Sequence, residues 1–287
     1  MLAAMAMGRS GIGAGRCGDF AGMVNGECWP IEHLLRYAGS VTLGPTLLVA
    51  LDAAYGAFAG YLRPQRMEAS SMRDPARILA TLSSAPLRDL TGEQIGPYAG
   101  WALTTVGSVT DYKHFLPRIL EQAVRDSSWL GTQPPVIASR LNMAEWRSWP
   151  EAERSAVIQV FMAALRGAIS QHPDEAGGAS EWLCALATIG EDIQPILQAW
   201  VRDARGNALL QIANLAMELP TLVSMDAHEQ LFWADVASET RTAIVTWLNS
   251  AEIGAAFAGA SEIAESDMWR IDEGMKAIAE AAGSTRH

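Results

Sequence analysis

The 287-residue sequence predicts an all-α fold, and three observations carry that prediction. Apolar residues recur at three- and four-residue spacing from Val41 onward, and no stretch there alternates convincingly as a strand would. Helix-start signals, namely caps and first-turn prolines, are scattered along the same region. The connections between predicted helices are short, often two to six residues, as between antiparallel neighbours.

Each element follows from local chemistry. Pro45 suits a first helical turn, and Leu47, Leu48, Leu51, Tyr55, Phe58 and Leu62 then form one face. The 41–62 stretch is long enough to span a membrane, but Asp52, Gly56 and Gly60 favour a core helix. Asp74-Pro75 is a cap and first-turn proline for a helix through Leu82. Thr91 and Gln94 have capping-box spacing, and the helix they open is expected to reach Gly107, with Pro97 bending it or delaying its start. Ser148 and Glu151 have the same spacing and are expected to open a long helix through Ile169. Further helices are predicted at about 178–189, 192–204, 206–218, 226–235, 238–249, 251–260 and 264–282.

Residues 1–40 read differently. They are expected to form a flexible extension, or to lie upstream of the natural start, ahead of a single helical domain over 42–283. Ile31–Tyr37 has room for one or two helical turns. Gly13 to Gly18 matches G-x-G-x-x-G, but that motif needs a strand before it and a helix after it, and neither is written there. Three cysteines, Cys17, Cys28 and Cys184, have no zinc-like spacing and fit a reducing cytoplasm, with Cys184 in an apolar run acting as a small hydrophobe.

Residues 119–126 and 196–203 share five of eight positions, each with a proline just upstream, Pro117 and Pro195. Half their separation approaches the ~40-residue period of helical-hairpin repeats. The expected architecture is therefore an irregular, right-handed stack of helical hairpins, similar to HEAT and TPR arrays, with no significant β-sheet. Ten tryptophans outnumber six phenylalanines and five tyrosines. Trp182, Trp200, Trp233 and Trp247 recur once per predicted helix, as suits a layered core whose indole N–H groups reach the rim.

Charge is uneven. The net −11 argues against general nucleic-acid binding, which needs a basic face. Residues 181–287 hold six Lys/Arg against sixteen Asp/Glu, a net −10, while the preceding 180 are nearly neutral. Such a surface serves either as a solvated acidic face that keeps the protein soluble or as a docking face for a basic protein partner, and Asp192, Asp203 and Asp235 are the candidate contacts of the second.

The most distinctive run is Thr110 to Leu120. On a helix Tyr112, Phe115, Leu116, Ile119 and Leu120 form the buried stripe; Lys113, His114, Arg118 and Arg125 lie away from it, with Asp111 three before His114 and Arg118 four after. Such a cluster could bind an anion or shuttle a proton through His114, or it could be a capped helix start with a solvated face. Ala102–Gly107, the Lys113-His114-Phe115-Leu116-Pro117-Arg118 run and Trp146–Pro150 together resemble a family of uncharacterised bacterial all-helical proteins, over about residues 87–166. The resemblance implies a helical fold and brings no activity with it. Members of that family carry a close cysteine pair shortly before the matched region; here Glu68–Met72 has no thiol in its place, which puts any metal or redox role of that pair in doubt.

Other motif searches are negative. His228-Glu229 lacks the second histidine of a metalloprotease helix, and no Walker loop, G-x-S-x-G or EF-hand occurs. No cofactor or metal is predicted. The expected role is a non-enzymatic protein-interaction module, for example a toxin-immunity protein, whose acidic C-terminal third docks a basic partner. The alternative is a small enzyme or ligand binder using the 98–118 segment around His114.

Overall fold

The computed structural model describes residues 20–24, 27–30, 43–175, 178–226 and 228–284. The chain divides into two units, Met1–Ala38 and Gly39–His287. In the first, β1 (Phe20–Val24) and β2 (Glu27–Pro30) pair antiparallel, with Met23 opposite Cys28 and Val24 opposite Glu27. Asn25-Gly26 between them is the dipeptide that most strongly favours a tight hairpin, a signal absent from the sequence reading above. The Ile31–Tyr37 turns, the glycine motif at 13–18 and Cys17 lie outside the described residues.

The second unit is all-α. Its helices are α1 (Pro45–Ala57), α2 (Pro75–Leu82), α3 (Gly92–Trp101), α4 (Val109–Arg125), α5 (Pro134–Met143), α6 (Glu151–Ser170) and α7 (Ala179–Thr188). They continue with α8 (Gln194–Arg202), α9 (Asn207–Met217), α10 (Leu219–Val223), α11 (Ser238–Leu248), α12 (Ala251–Ala258) and α13 (Met268–Ser284). None of the described helices is long and apolar enough to cross a membrane.

Several helix starts follow their local signals. Asp74 caps α2 by accepting from the Arg77 N–H, and Thr91 and Gln94 form the reciprocal box that opens α3. Ser108 and Asp111 do the same for α4. Ser148 does not cap α6: its hydroxyl donates to the Glu145 carbonyl at 2.8 Å, and Pro150 takes the cap position.

Tertiary contacts move other boundaries. The α3 helix stops at Trp101 instead of reaching Gly107, because the turn that follows pairs with residues 68–70. The Gly107 N–H donates to the Glu68 carbonyl, and the Ser70 N–H to the Thr105 carbonyl. That reversal needs left-handed backbone at Leu103 and Gly107. The α1 helix stops at Ala57, short of Leu62, which is 82% exposed. The 226–235 helix is replaced by turns and a 3-10 segment, Leu231–Asp235, while α5 has no counterpart in the sequence reading.

The core lies on α4, α6, α7 and α9. The predicted α4 stripe (Tyr112, Phe115, Leu116, Ile119, Leu120) is buried throughout, and α7 is buried on nearly every side, as an all-round apolar helix must be. Cys184 sits inside it as a buried thiol. The most extensive packing joins helices apart in the chain: α1 with α6, α9 with α13, and α5 with α7; α8 packs on α11 and α12. Trp182, Trp200 and Trp233 are buried; two of their indoles are satisfied, Trp200 by the Ala208 carbonyl and Trp233 by Glu218.

Candidate functional site

Tyr61 organises the polar side of α4. Its hydroxyl donates to Glu153 Oε1 at 2.6 Å and accepts from Lys113 Nζ at 3.0 Å. Lys113 Nζ also lies 2.7 Å from Glu153 Oε2 and stands 4.2 Å from the Trp149 ring centroid. Lys113, expected on a solvated face, is therefore buried, paired with Glu153 from α6 in an aromatic surround.

His114 uses its other neighbour. Its Nδ1 lies 2.7 Å from the Tyr61 carbonyl oxygen, which can only accept, so Nδ1 carries the proton. Nε2 is buried without a hydrogen-bond partner. The ring borders a cleft of about 830 Å³ between α1, the 86–89 turn and α4. Arg88 also lines it, lying over the Tyr55 ring at 3.8 Å and 2.9 Å from Asp52.

Arg118 is held further down α4. Its Nε donates to the Leu90 carbonyl at 2.7 Å and its guanidinium meets Glu121 at 2.8 Å. Tyr55 also donates to Glu121, at 2.7 Å, and Arg125 pairs with it at 3.0 Å. Burial raises the Glu121 carboxyl, but the hydrogen bonds from Tyr55 and Arg118 outweigh it and leave the group below its usual range. Asp111 is occupied in the α4 cap. Of the four candidates on this run, His114 is the one with a buried polar atom that lacks a hydrogen-bond partner.

The acidic candidates do not form one cluster. Asp192 is exposed and accepts the Gln194 N–H ahead of α8, and Asp203 is exposed at the other end of that helix. Asp235 lies elsewhere, at the rim of a pocket of about 220 Å³ with Arg140, Leu130 and Phe232.

Two further clusters escaped sequence reasoning. Glu181 on α7 and Glu218 at the end of α9 approach each other in the interior; Glu218 accepts from Trp233 Nε1 at 2.9 Å, and one Glu181 oxygen has no partner. Burial, reinforced by Glu218, pushes the Glu181 carboxyl up to about 7, and burial raises Glu218 as well. The Cys184 thiol donates to the Phe232 carbonyl nearby, and burial pushes it up, away from the thiolate form.

His172, Asp174 and Asp267 form the second cluster, with ligand atoms within 4.8 Å of one another. The buried Arg270 guanidinium already lies 2.6 Å from Asp174 and 3.8 Å from Asp267. A fixed cation thus takes the place a metal would neutralise, and the set reads as an ion-pair clasp between the 172–174 turn and α13. No short-range signal announces either cluster, because their members stand 37 and 95 positions apart.

No family model matches the chain, and no curated protein or solved structure matches it either.

Proposed function

We propose that this protein is a non-enzymatic interaction module whose acidic C-terminal third docks a basic protein partner. The observation that carries the reading is a surplus of uncompensated surface carboxylates. Asp203, Glu239, Glu252, Glu262 and Asp272 are all exposed, and none has a cation within ion-pair distance among the described residues. Glu239 and Glu252 lie on α11 and α12, which each pack on α8, and Asp203 follows the last residue of α8. Unpaired like charges repel one another and weaken the fold slightly, and a basic partner turns that repulsion into attraction and a faster encounter. A toxin-neutralising role is one concrete form of it.

The test is retention of a basic partner from the native host at about 50 and 500 mM salt, where screening differs strongly. The wild type is expected to hold a net-basic protein at low salt and release it at high salt. The triple variant Asp192→Lys/Asp203→Lys/Asp235→Lys is expected to lose it at both. Equal retention by the two proteins at both salts sinks the reading.

One observation favours a second reading, a small-ligand site around His114. His114 Nε2 is unpartnered, and the ring borders a cleft that also carries Arg88, whose exposed pairing with Asp52 contributes little and yields readily to a ligand. A thermal-shift screen of small organic acids tests it: a hit lost in both His114→Asn and Arg88→Ala supports the site, and no hit dependent on either residue removes it.

A further inference from the structure

The 231–235 turn brings Asp235 to a place the sequence does not announce. Asp235 and Phe232 face the 130–132 turn and α5 across a pocket of about 220 Å³, lined by Leu130, Pro135, Val136 and Arg140. Two large apolar side chains form its lips, Leu130 at 47% exposure and Phe232 at 39%. Beside them Leu231 is 65% exposed and holds a left-handed backbone at φ 49°, a conformation costly for a branched residue. The floor is closely packed: Gly131 lies so near α3 that a Cβ there would run into the Gly100 nitrogen. The volume suits one apolar side chain and little more.

The charge around the mouth is mixed, since Arg140 and Asp235 both line the pocket and attract one another. Along the 226–239 segment itself the exposed charges are Asp226, Glu229, Asp235 and Glu239, with no Lys or Arg. Arg140 is turned inward, donating to the Gly100 carbonyl at 2.9 Å and to Met143 Sδ at 3.6 Å, which leaves Asp235 as the exposed carboxylate of the rim. A preformed apolar pocket beside an exposed carboxylate has the anatomy of an interface anchor: one buried side chain supplies the affinity and a neighbouring charge sets the register.

We infer that this pocket is the anchor point for a basic partner segment, one large apolar side chain entering between Leu130 and Phe232 while an adjacent Lys or Arg pairs with Asp235. The inference rests on the basic-partner reading and places its centre at a specific point.

The experiment pans a phage-displayed library of random dodecapeptides on the full chain and measures the selected peptides by fluorescence anisotropy. Expected sequences carry one large apolar residue with Lys or Arg within two positions. Phe232→Ser and Leu130→Ser, both at partly exposed positions and checked for unchanged thermal melting, are each expected to weaken binding about tenfold or more. Asp235→Lys weakens it at low salt, and Asp192→Lys/Asp203→Lys, away from the pocket, changes it less than about twofold. If the selected peptides bind Phe232→Ser and Leu130→Ser as tightly as wild type, the anchor is overturned. If those same peptides are basic and lose to Asp192→Lys/Asp203→Lys, the acidic-face reading survives that failure. Pocket-dependent peptides without a basic residue overturn both the Asp235 contact and the basic-partner reading.

Discussion

Lys113 Nζ and Glu153 Oε2 stand 2.7 Å apart inside the core, joining the start of α4 to the start of α6 across forty residues. Tyr61 bridges the same pair through its hydroxyl, so three segments meet at one buried charge pair. The chemistry of the most distinctive motif is thereby turned inward: Lys113, His114 and Arg118 secure neighbouring segments to α4.

Breaking that pair on one side strands a buried charge. Lys113→Met is expected to destabilise the fold by about 3–5 kcal/mol, read by urea denaturation. Lys113→Met combined with Glu153→Leu removes both charges and is expected to recover most of the loss. A double variant no more stable than the single one would show that the charges themselves are not the cause.

His114 is expected to hold the Nδ1–H tautomer, which long-range ¹⁵N NMR of the ring reads directly. His114→Asn places an amide donor near Nδ1 and should stay close to wild type. His114→Leu leaves the Tyr61 carbonyl unsatisfied and should cost about 1–3 kcal/mol. Equal melting temperatures for the two variants would contradict the assigned hydrogen bond.

Stability should fall as pH rises from about 4.5 to about 7. Glu181 is raised from 4.5 to about 7 by burial and by Glu218, so the folded state keeps its proton after the unfolded chain has lost it. The contribution is complete below 4.5, falls through that window and is gone above 7, a change of roughly 3 kcal/mol. Glu218 shifts in the same direction. Glu121, held low, acts oppositely: its contribution is present above its unfolded value and is lost as the pH falls below that. Glu181→Gln should flatten the neutral limb of the denaturation profile, and an unchanged slope there would refute the assignment.

Two glycine substitutions should move stability in opposite directions. Gly131→Ala drives a Cβ into the α3 backbone at the Gly100 nitrogen and is expected to cost about 3 kcal/mol. Gly167→Ala, in the interior of α6 with open space around it, should gain about 1 kcal/mol from reduced unfolded-chain entropy. Thermal melts of the two variants check both signs.

Two capping signals that look alike in sequence should also separate. Thr91→Ala removes a formed box and should cost about 1 kcal/mol, while Ser148→Ala removes no cap bond and should cost a few tenths. Equal costs would mean that the Ser148 hydroxyl contributes more than its bond to the Glu145 carbonyl.

Features that depend on near neighbours are legible along the chain. Helix class, the Asp74 and Thr91 caps, the buried face of α4 and the concentration of negative charge after residue 180 are all written at spacings of four residues or in simple counts. Tertiary structure decided whatever depends on a distant residue. The α3 helix ends where Glu68 and Ser70 capture its turn, and Lys113 is buried because Glu153 waits opposite. Asp235 becomes a pocket rim only because Leu130 and Arg140 arrive from a hundred positions earlier. Helical periodicity is a local property of the backbone, but the cost of burying a polar group is set by its partner, and these partners come from elsewhere in the chain.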